Sequence, residues 1–271
     1  MPIITKVSSQ KRPGRFNIFL DGKYSFSAAE QTVAEFMLLK GQELSEEQIV
    51  EIKQFDTDAK ATNIATKFLS YEPRTVFEVL QYLNKHDIDN EPAQAAVSQL
   101  TEMGFLDDAK YAQLMIRQDL RIGTDGPLSL SNKLRQKGID PEIIDNALAE
   151  VDDDKWLDAG KRVLKSMRSK VGKLAKRELE RKMTVKLLSH GFSSSLASTI
   201  IAQIDLPQND EDQTEALKKQ GIKAYKRFRR LPESERQIKI RNYLFTHGFA
   251  SNEIDAFLAG EIIPLDELAE Y

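Results

Sequence analysis

Cysteine is absent from this 271-residue chain, so neither a disulfide framework nor thiolate chemistry is open to it. Histidine, the usual acid–base side chain, occurs three times. There is no Gly-x-Gly-x-x-Gly, no Gly-Lys-Ser/Thr phosphate loop and no His-Glu-x-x-His zinc motif. No apolar run nears the roughly 18 residues that a membrane span needs. The start, Met1-Pro2-Ile3-Ile4-Thr5-Lys6, lacks a secretory apolar core. Together these absences predict a cytoplasmic protein that is not an enzyme, has no cofactor and no metal, and does not enter a membrane.

What the chain does have is a recurring phrase. Lys133-Leu134-Arg135-Gln136-Lys137-Gly138-Ile139 returns as Lys186-Leu187-Leu188-Ser189-His190-Gly191-Phe192 and as Asn242-Tyr243-Leu244-Phe245-Thr246-His247-Gly248-Phe249. A weaker copy, Tyr82-Leu83-Asn84-Lys85-His86-Asp87-Ile88, precedes them. Each copy predicts a helix end, with Gly in a left-handed cap and the next apolar residue folding back on the last turn. Successive copies, from Asp87 to Gly138, Gly191 and Gly248, are 51, 53 and 57 residues apart. A period near 50 residues marks repeated units that present a long surface. His86, His190 and His247 hold the same place in this phrase, which makes them helix-end residues rather than a converging metal or catalytic set.

The first 27 residues are different. Arg15–Leu20, Asp21-Gly22 and Lys23–Ser27 make a hairpin signal, with Asp-Gly supplying the positive φ angles of a type I′ turn. Ile3–Val7 is a candidate third strand. Helix follows over Ala28–Lys40 and Ser45–Phe55, broken at Gly41; Ser45 with Gln48 forms a capping box. The expected fold is therefore mainly α, with a small β-hairpin and helix module at 1–55. Three-helix repeats are expected at 56–104, 105–151, 152–207 and 208–260 in an elongated array, with a loose acidic tail at 261–271. Asp107-Asp108 and Asp152-Asp153-Asp154 open units and suit helix capping. An uncharacterised hydrolase using such acid pairs is the weakest of the readings.

Positive charge is blocked, although the net charge is only −3. One block runs from Lys161 to Lys186 and a second from Lys218 to Arg241, with Tyr225 and Phe228 interleaved and expected to face the core. Blocks at matching repeat positions point to a polyanion or an acidic protein groove as partner. Candidate contacts are Arg74, Arg117 and Arg121 in the front units, and Lys173, Lys176, Arg177, Arg227, Arg229 and Arg230 behind.

Three stretches together carry a family pattern. Arg74-Thr75-Val76-Phe77-Glu78-Val79-Leu80, then Gly104-Phe105-Leu106-Asp107-Asp108-Ala109-Lys110-Tyr111-Ala112, then Leu134–Ile139 resemble the RecX family. The Phe-Leu-Asp-Asp-x-x-Tyr-Ala stretch is the most specific. Thr75 stands for the usual Ser, Val79 for Leu and Asp87 for Gly. The hairpin followed by helical repeats is similar to long members from low-GC Gram-positive bacteria. The resemblance implies a regulator of the recombinase RecA, and the chain is expected to be a monomer. Such a regulator lies in the groove of a RecA filament on single-stranded DNA and suppresses recombinase, ATPase and coprotease activities. The rival reading is a helical-repeat adaptor or nucleic-acid-binding protein unrelated to RecA. The family supplies no catalytic residue to carry over.

Overall fold

The computed structural model describes residues 1–11, 13–204 and 210–270. Three antiparallel strands open the chain in the order β1 (Ile4–Ser9), β2 (Arg15–Leu20) and β3 (Lys23–Ala29). Asp21 (φ 48°) and Gly22 (φ 81°) both take the left-handed region, as the Asp-Gly turn requires. After the sheet, the described residues form fourteen α-helices joined by turns, loops and one 3-10 segment. No described helix is long and apolar enough to cross a membrane.

The first helix is shorter than expected. α1 (Glu30–Glu35) ends where Met37 turns left-handed (φ 45°), and the chain folds back toward β1 through Gly41 N–H to Ile4 O (2.8 Å) and Ile4 N–H to Gln42 O (2.8 Å). That return buries Leu38 and Leu44 with Ile4, Ile18, Phe26 and Ile52. α2 (Glu46–Leu69) begins with the Ser45–Gln48 capping box and then continues for 24 residues. The boundary placed after Phe55 thus falls inside one helix. The reason is Asp56. Its buried carboxylate accepts from the Ala29 N–H (2.5 Å), the Thr32 hydroxyl (2.9 Å) and Arg15 (2.8 Å), and so fastens α2 to the sheet and to α1. A buried carboxylate persists only with such partners.

Helices then follow in threes: α3 (Val76–Asn84) and α4 (Asn90–Glu102) beside the end of α2; α5 (Asp108–Ile122), α6 (Pro127–Gln136) and α7 (Pro141–Ala149); α8 (Asp153–Leu164), a 3-10 segment (Lys165–Lys170), α9 (Lys176–Ser189) and α10 (Ser194–Gln203); α11 (Asp210–Phe228), α12 (Glu233–Thr246) and α13 (Ser251–Leu258). The boundary expected at 207/208 lies outside the described residues. Of the expected acidic tail, residue 271 lies outside the described residues, and 261–270 are not loose: α14 (Leu265–Ala269) forms there, and Ile263 and Leu268 are buried in the cluster that holds Leu217, Leu244, Ile254 and Phe257. Tyr225 and Phe228 pack against that same core, as the interleaved pattern predicted.

The repeated phrase is a Schellman motif each time. The N–H of Ile88, Ile139, Phe192 and Phe249 bonds the carbonyl of Leu83, Leu134, Leu187 and Leu244, at 3.2, 3.3, 3.1 and 3.2 Å. All eight side chains are buried. Asp87 adopts the cap without being glycine (φ 56°), in line with the tolerance of Asp for this conformation.

The chain divides into two compact bodies, residues 1–114 with 134–147, and residues 115–133 with 148–271. Within each, a capping glycine meets the start of an earlier helix. In the first body a Cβ on Gly138 would lie 2.3 Å from Phe77 Cβ, at the start of α3. In the second, a Cβ on Gly191 would lie 2.4 Å from Ser129 N in α6, and one on Gly248 3.0 Å from Glu178 N in α9. Middle helices therefore meet C-terminus to N-terminus, which aligns the partial charges of their ends favourably.

Candidate functional site

Where the middle helices meet, the polar residues of the specific motif are used for structure. Asp107 caps its own helix, accepting from Lys110 N–H at 2.9 Å. Asp108 instead caps α3, accepting from Val76 N–H at 3.0 Å. Thr75 forms a capping box with Glu78 and donates its hydroxyl to the carbonyl of Lys137 (2.7 Å), while Lys137 Nζ reaches Glu78 at 2.7 Å. Burial alone would raise Glu78, but the Lys137 hydrogen bond, the Thr75 N–H and the charges of Lys137 and Arg74 hold its carboxyl below the ordinary value. Burial pushes Asp108 the other way, helped by the charges of Asp107 and Glu78 and opposed by the Val76 N–H. Lys137 is raised by Glu78 and Tyr111 although burial opposes it. Both carboxylates of the acid pair thus act as helix caps.

Arg74 belongs to the same structure. Its guanidinium lies 4.5 Å from the Phe68 ring centroid, pairs with Glu72, and approaches Glu78 at 4.0 Å. Phe68 in turn stacks on Tyr82 at 3.9 Å. Three quarters of the Arg74 side chain is covered. It is therefore a half-buried packing residue, unlike the other eight candidates. The three histidines sit at helix ends: Nδ1 of His86 and of His247 donates to the carbonyl four residues back, at 2.9 and 2.6 Å. No metal-binding group of side chains occurs among the described residues.

The remaining candidates lie on the surface. Arg117 and Arg121 are exposed on α5. Lys173 stands in the turn before α9, and Lys176 and Arg177 in its first turn; all three are exposed and make no ion pair among the described residues. Their backbone is held in place. Gln220 donates to Lys173 O (2.9 Å), Lys219 donates to Gly172 O (3.2 Å), and Gln213 accepts from Lys176 N–H (2.9 Å), so α11 grips this turn along its length. Lys165, Arg168 and Lys170 on the neighbouring 3-10 segment are also exposed and unpaired among the described residues. Choosing single residues from the block missed these three, because only the structure separates them from neighbours that are neutralised. Arg181 and Lys182, for instance, both bind Glu178 (2.8 and 3.2 Å) and, with Arg181 contributing most, pull its carboxyl down to about 2. Arg227, Arg229 and Arg230 are exposed at the C-terminal end of α11, where the helix dipole favours cations. Arg227 also lies 5.6 Å from the Phe228 ring.

Comparison with known proteins places the sheet and the three-helix units in one family. Residues 2–45 match the regulatory protein RecX N-terminal domain. Residues 107–148 match the second three-helix domain of RecX, and residues 210–258 the third. A regulatory protein RecX from Lactobacillus delbrueckii subsp. bulgaricus is 54% identical over 272 residues, covering all of both chains. The chain belongs to the RecX family. Further RecX relatives, from Lactobacillus johnsonii and Lacticaseibacillus casei, are 50% and 36% identical over the full length of both chains. A crystal structure of regulatory protein RecX aligns with a TM-score of 0.63 at 33% identity, covering 75% of this chain and all of that one. A RecX structure from Lactobacillus salivarius aligns at 0.53 with 28% identity, covering 56% and 98%. The tandem three-helix architecture is thus a RecX architecture, and the match to the third RecX three-helix domain falls on α11–α13, the fourth helical unit in chain order.

Proposed function

We propose that this RecX protein is a non-enzymatic inhibitor of RecA that binds in the groove of the RecA filament on single-stranded DNA and suppresses recombinase, ATPase and coprotease activities. RecX family membership supports the choice of partner. The observation that carries the binding mode is the Lys173–Arg177 turn: three exposed cations without carboxylate partners among the described residues, on a backbone gripped by α11. Freely mobile lysines lose entropy on binding, whereas a held turn loses less. Arg227, Arg229 and Arg230 add a second cluster within the same body. Several simultaneous contacts along a filament would raise the effective concentration at each. The protein acts as a monomer in the cytoplasm and needs no cofactor on this reading.

The test is RecA ATPase on single-stranded DNA with the protein titrated in. Wild type lowers the rate. Lys173→Glu/Lys176→Glu/Arg177→Glu raises the half-inhibitory concentration by about tenfold or more, and Arg227→Glu/Arg229→Glu/Arg230→Glu does likewise, since charge reversal at a polyanion surface costs more than truncation. Both variants melt with the wild type, because exposed charges contribute little to stability. Undiminished RecA turnover at a molar excess of wild type over filament overturns the proposal.

A further inference from the structure

The place five residues before each cap differs between the repeats. In α3 and α12 it is Tyr82 and Tyr243, whose rings lie on His86 and His247 at 4.2 and 3.9 Å. In α6 it is Lys133, paired with Asp125, and the histidine place is taken by Lys137, paired with Glu78. The third unit follows neither scheme. Its residues are Lys186 and His190, and neither has an ion-pair partner among the described residues. Lys186 Nζ meets Ser166 Oγ at 2.6 Å, and His190 Nδ1 meets Thr124 O at 3.1 Å. A carbonyl only accepts, so Nδ1 is the donor.

These two side chains face an open concavity of about 490 Å³, lined also by Arg162, Lys165, Thr124 and Ser166. That volume is within the roughly 300–1,000 Å³ of small-ligand sites. None of the lining residues is a carboxylate. Arg162 is fixed by donating through Nε to Gly123 O (2.9 Å) and through Nη2 to Leu120 O (2.7 Å), which leaves both N–H groups of Nη1 free. Lys186 keeps two of its three protons beyond the Ser166 bond, and the Ser166 hydroxyl proton is unspent. Lys165 is exposed and unpaired among the described residues. Two lysines and an arginine, with a hydroxyl among them, therefore converge on a space that no carboxylate lines among the described residues. Two other cation clusters each have a carboxylate: Glu178 serves Arg181 and Lys182, and Glu78 serves Lys137 and Arg74.

We propose that this concavity is a phosphate-binding site, specific to the α8–α9 unit, that takes a phosphate group of single-stranded nucleic acid or free inorganic phosphate without any need for RecA. Arg162 supplies a pre-oriented donor edge, Lys165 and Lys186 the opposing charge, and Ser166 a neutral donor, a combination that suits phosphate oxygens.

Amide resonances of the isotopically labelled full chain are followed by NMR during two titrations, one with inorganic phosphate and one with an unlabelled oligothymidylate, both at low chloride. Expected with phosphate is a saturable shift at Ser166, Lys186 and His190 that weakens about tenfold in Lys165→Glu, a change of one order in affinity. Lys165 is exposed, so that variant folds; Lys133→Met, altering the matched but neutralised lysine of α6, leaves the affinity unchanged. If the oligonucleotide shifts the same resonances and competes with phosphate, nucleic acid is the source; if only free phosphate does, the site serves free phosphate. No saturable shift with either probe, or equal shifts in wild type and Lys165→Glu, overturns the proposal. Phosphate binding alongside undiminished RecA turnover would leave this site standing while removing the RecA reading.

Discussion

Two meetings of middle helices, one in each body, share a geometry and differ in chemistry. At Gly138 the joint is made by side chains: Thr75 to Lys137 O, Lys137 to Glu78, and Asp108 to the α3 backbone. At Gly191 it is made by backbone: Gly126 N–H donates to His190 O at 2.7 Å and Leu128 N–H to Gly191 O at 3.0 Å, so α6 begins on the carbonyls where α9 ends. The cap geometry leaves carbonyls pointing out of one helix and N–H groups out of the next. Either set of partners satisfies them, so the same joint forms from different sequences. The first joint consequently rests on charged side chains, and the second on backbone groups.

The largest expected effect tests the tightness of the backbone joint. Gly191→Ala places a methyl 2.4 Å from Ser129 N, in addition to the strain of φ 85°. Gly104→Ala, at φ 76° with open space around it, carries the strain alone. Urea unfolding should show a loss of about 1–2 kcal/mol for Gly104→Ala, and of about 3 kcal/mol or more for Gly191→Ala. Equal losses would mean that α9 does not dock on α6.

Next comes the side-chain joint. Lys137→Met leaves half-buried Glu78 with only the more distant Arg74, and should cost about 1–3 kcal/mol. A loss under about 0.5 kcal/mol, the size expected of an exposed pair, would make the joint dispensable. The smallest effect is a pH dependence. Glu178 falls from an ordinary 4.5 to about 2 in the folded protein, so its contribution is complete above about 4.5 and disappears as pH falls through about 2. Glu178→Gln should therefore melt below wild type at pH 7 and approach it between pH 4 and 2. A gap that stays constant over that range would exclude the Arg181 and Lys182 pairing as its source.

The helix ends were legible because the Schellman cap is local: six residues specify it, and all four copies read from the sequence hold the expected hydrogen bonds. The Asp-Gly turn and the Ser45–Gln48 box are local in the same sense. The basic surface was half legible. Charge blocks showed in the sequence, yet nothing in it distinguished Arg74, stacked on Phe68, from Lys173, free on its turn.

What the sequence determined alone is the helical class, the period of the repeat and the sheet at the start, since propensity, apolar spacing and caps act within a few residues. The tertiary structure decided what depends on distant partners. Asp56 joins α2 to a sheet some forty residues earlier, Ile263 and Leu268 turn an acidic tail into core, and Asp108 caps a helix in another unit. It also decided which cations stay unneutralised, because ion pairing depends on separation in space, and the carboxylate that silences a lysine can stand 59 residues away, as Glu78 does from Lys137.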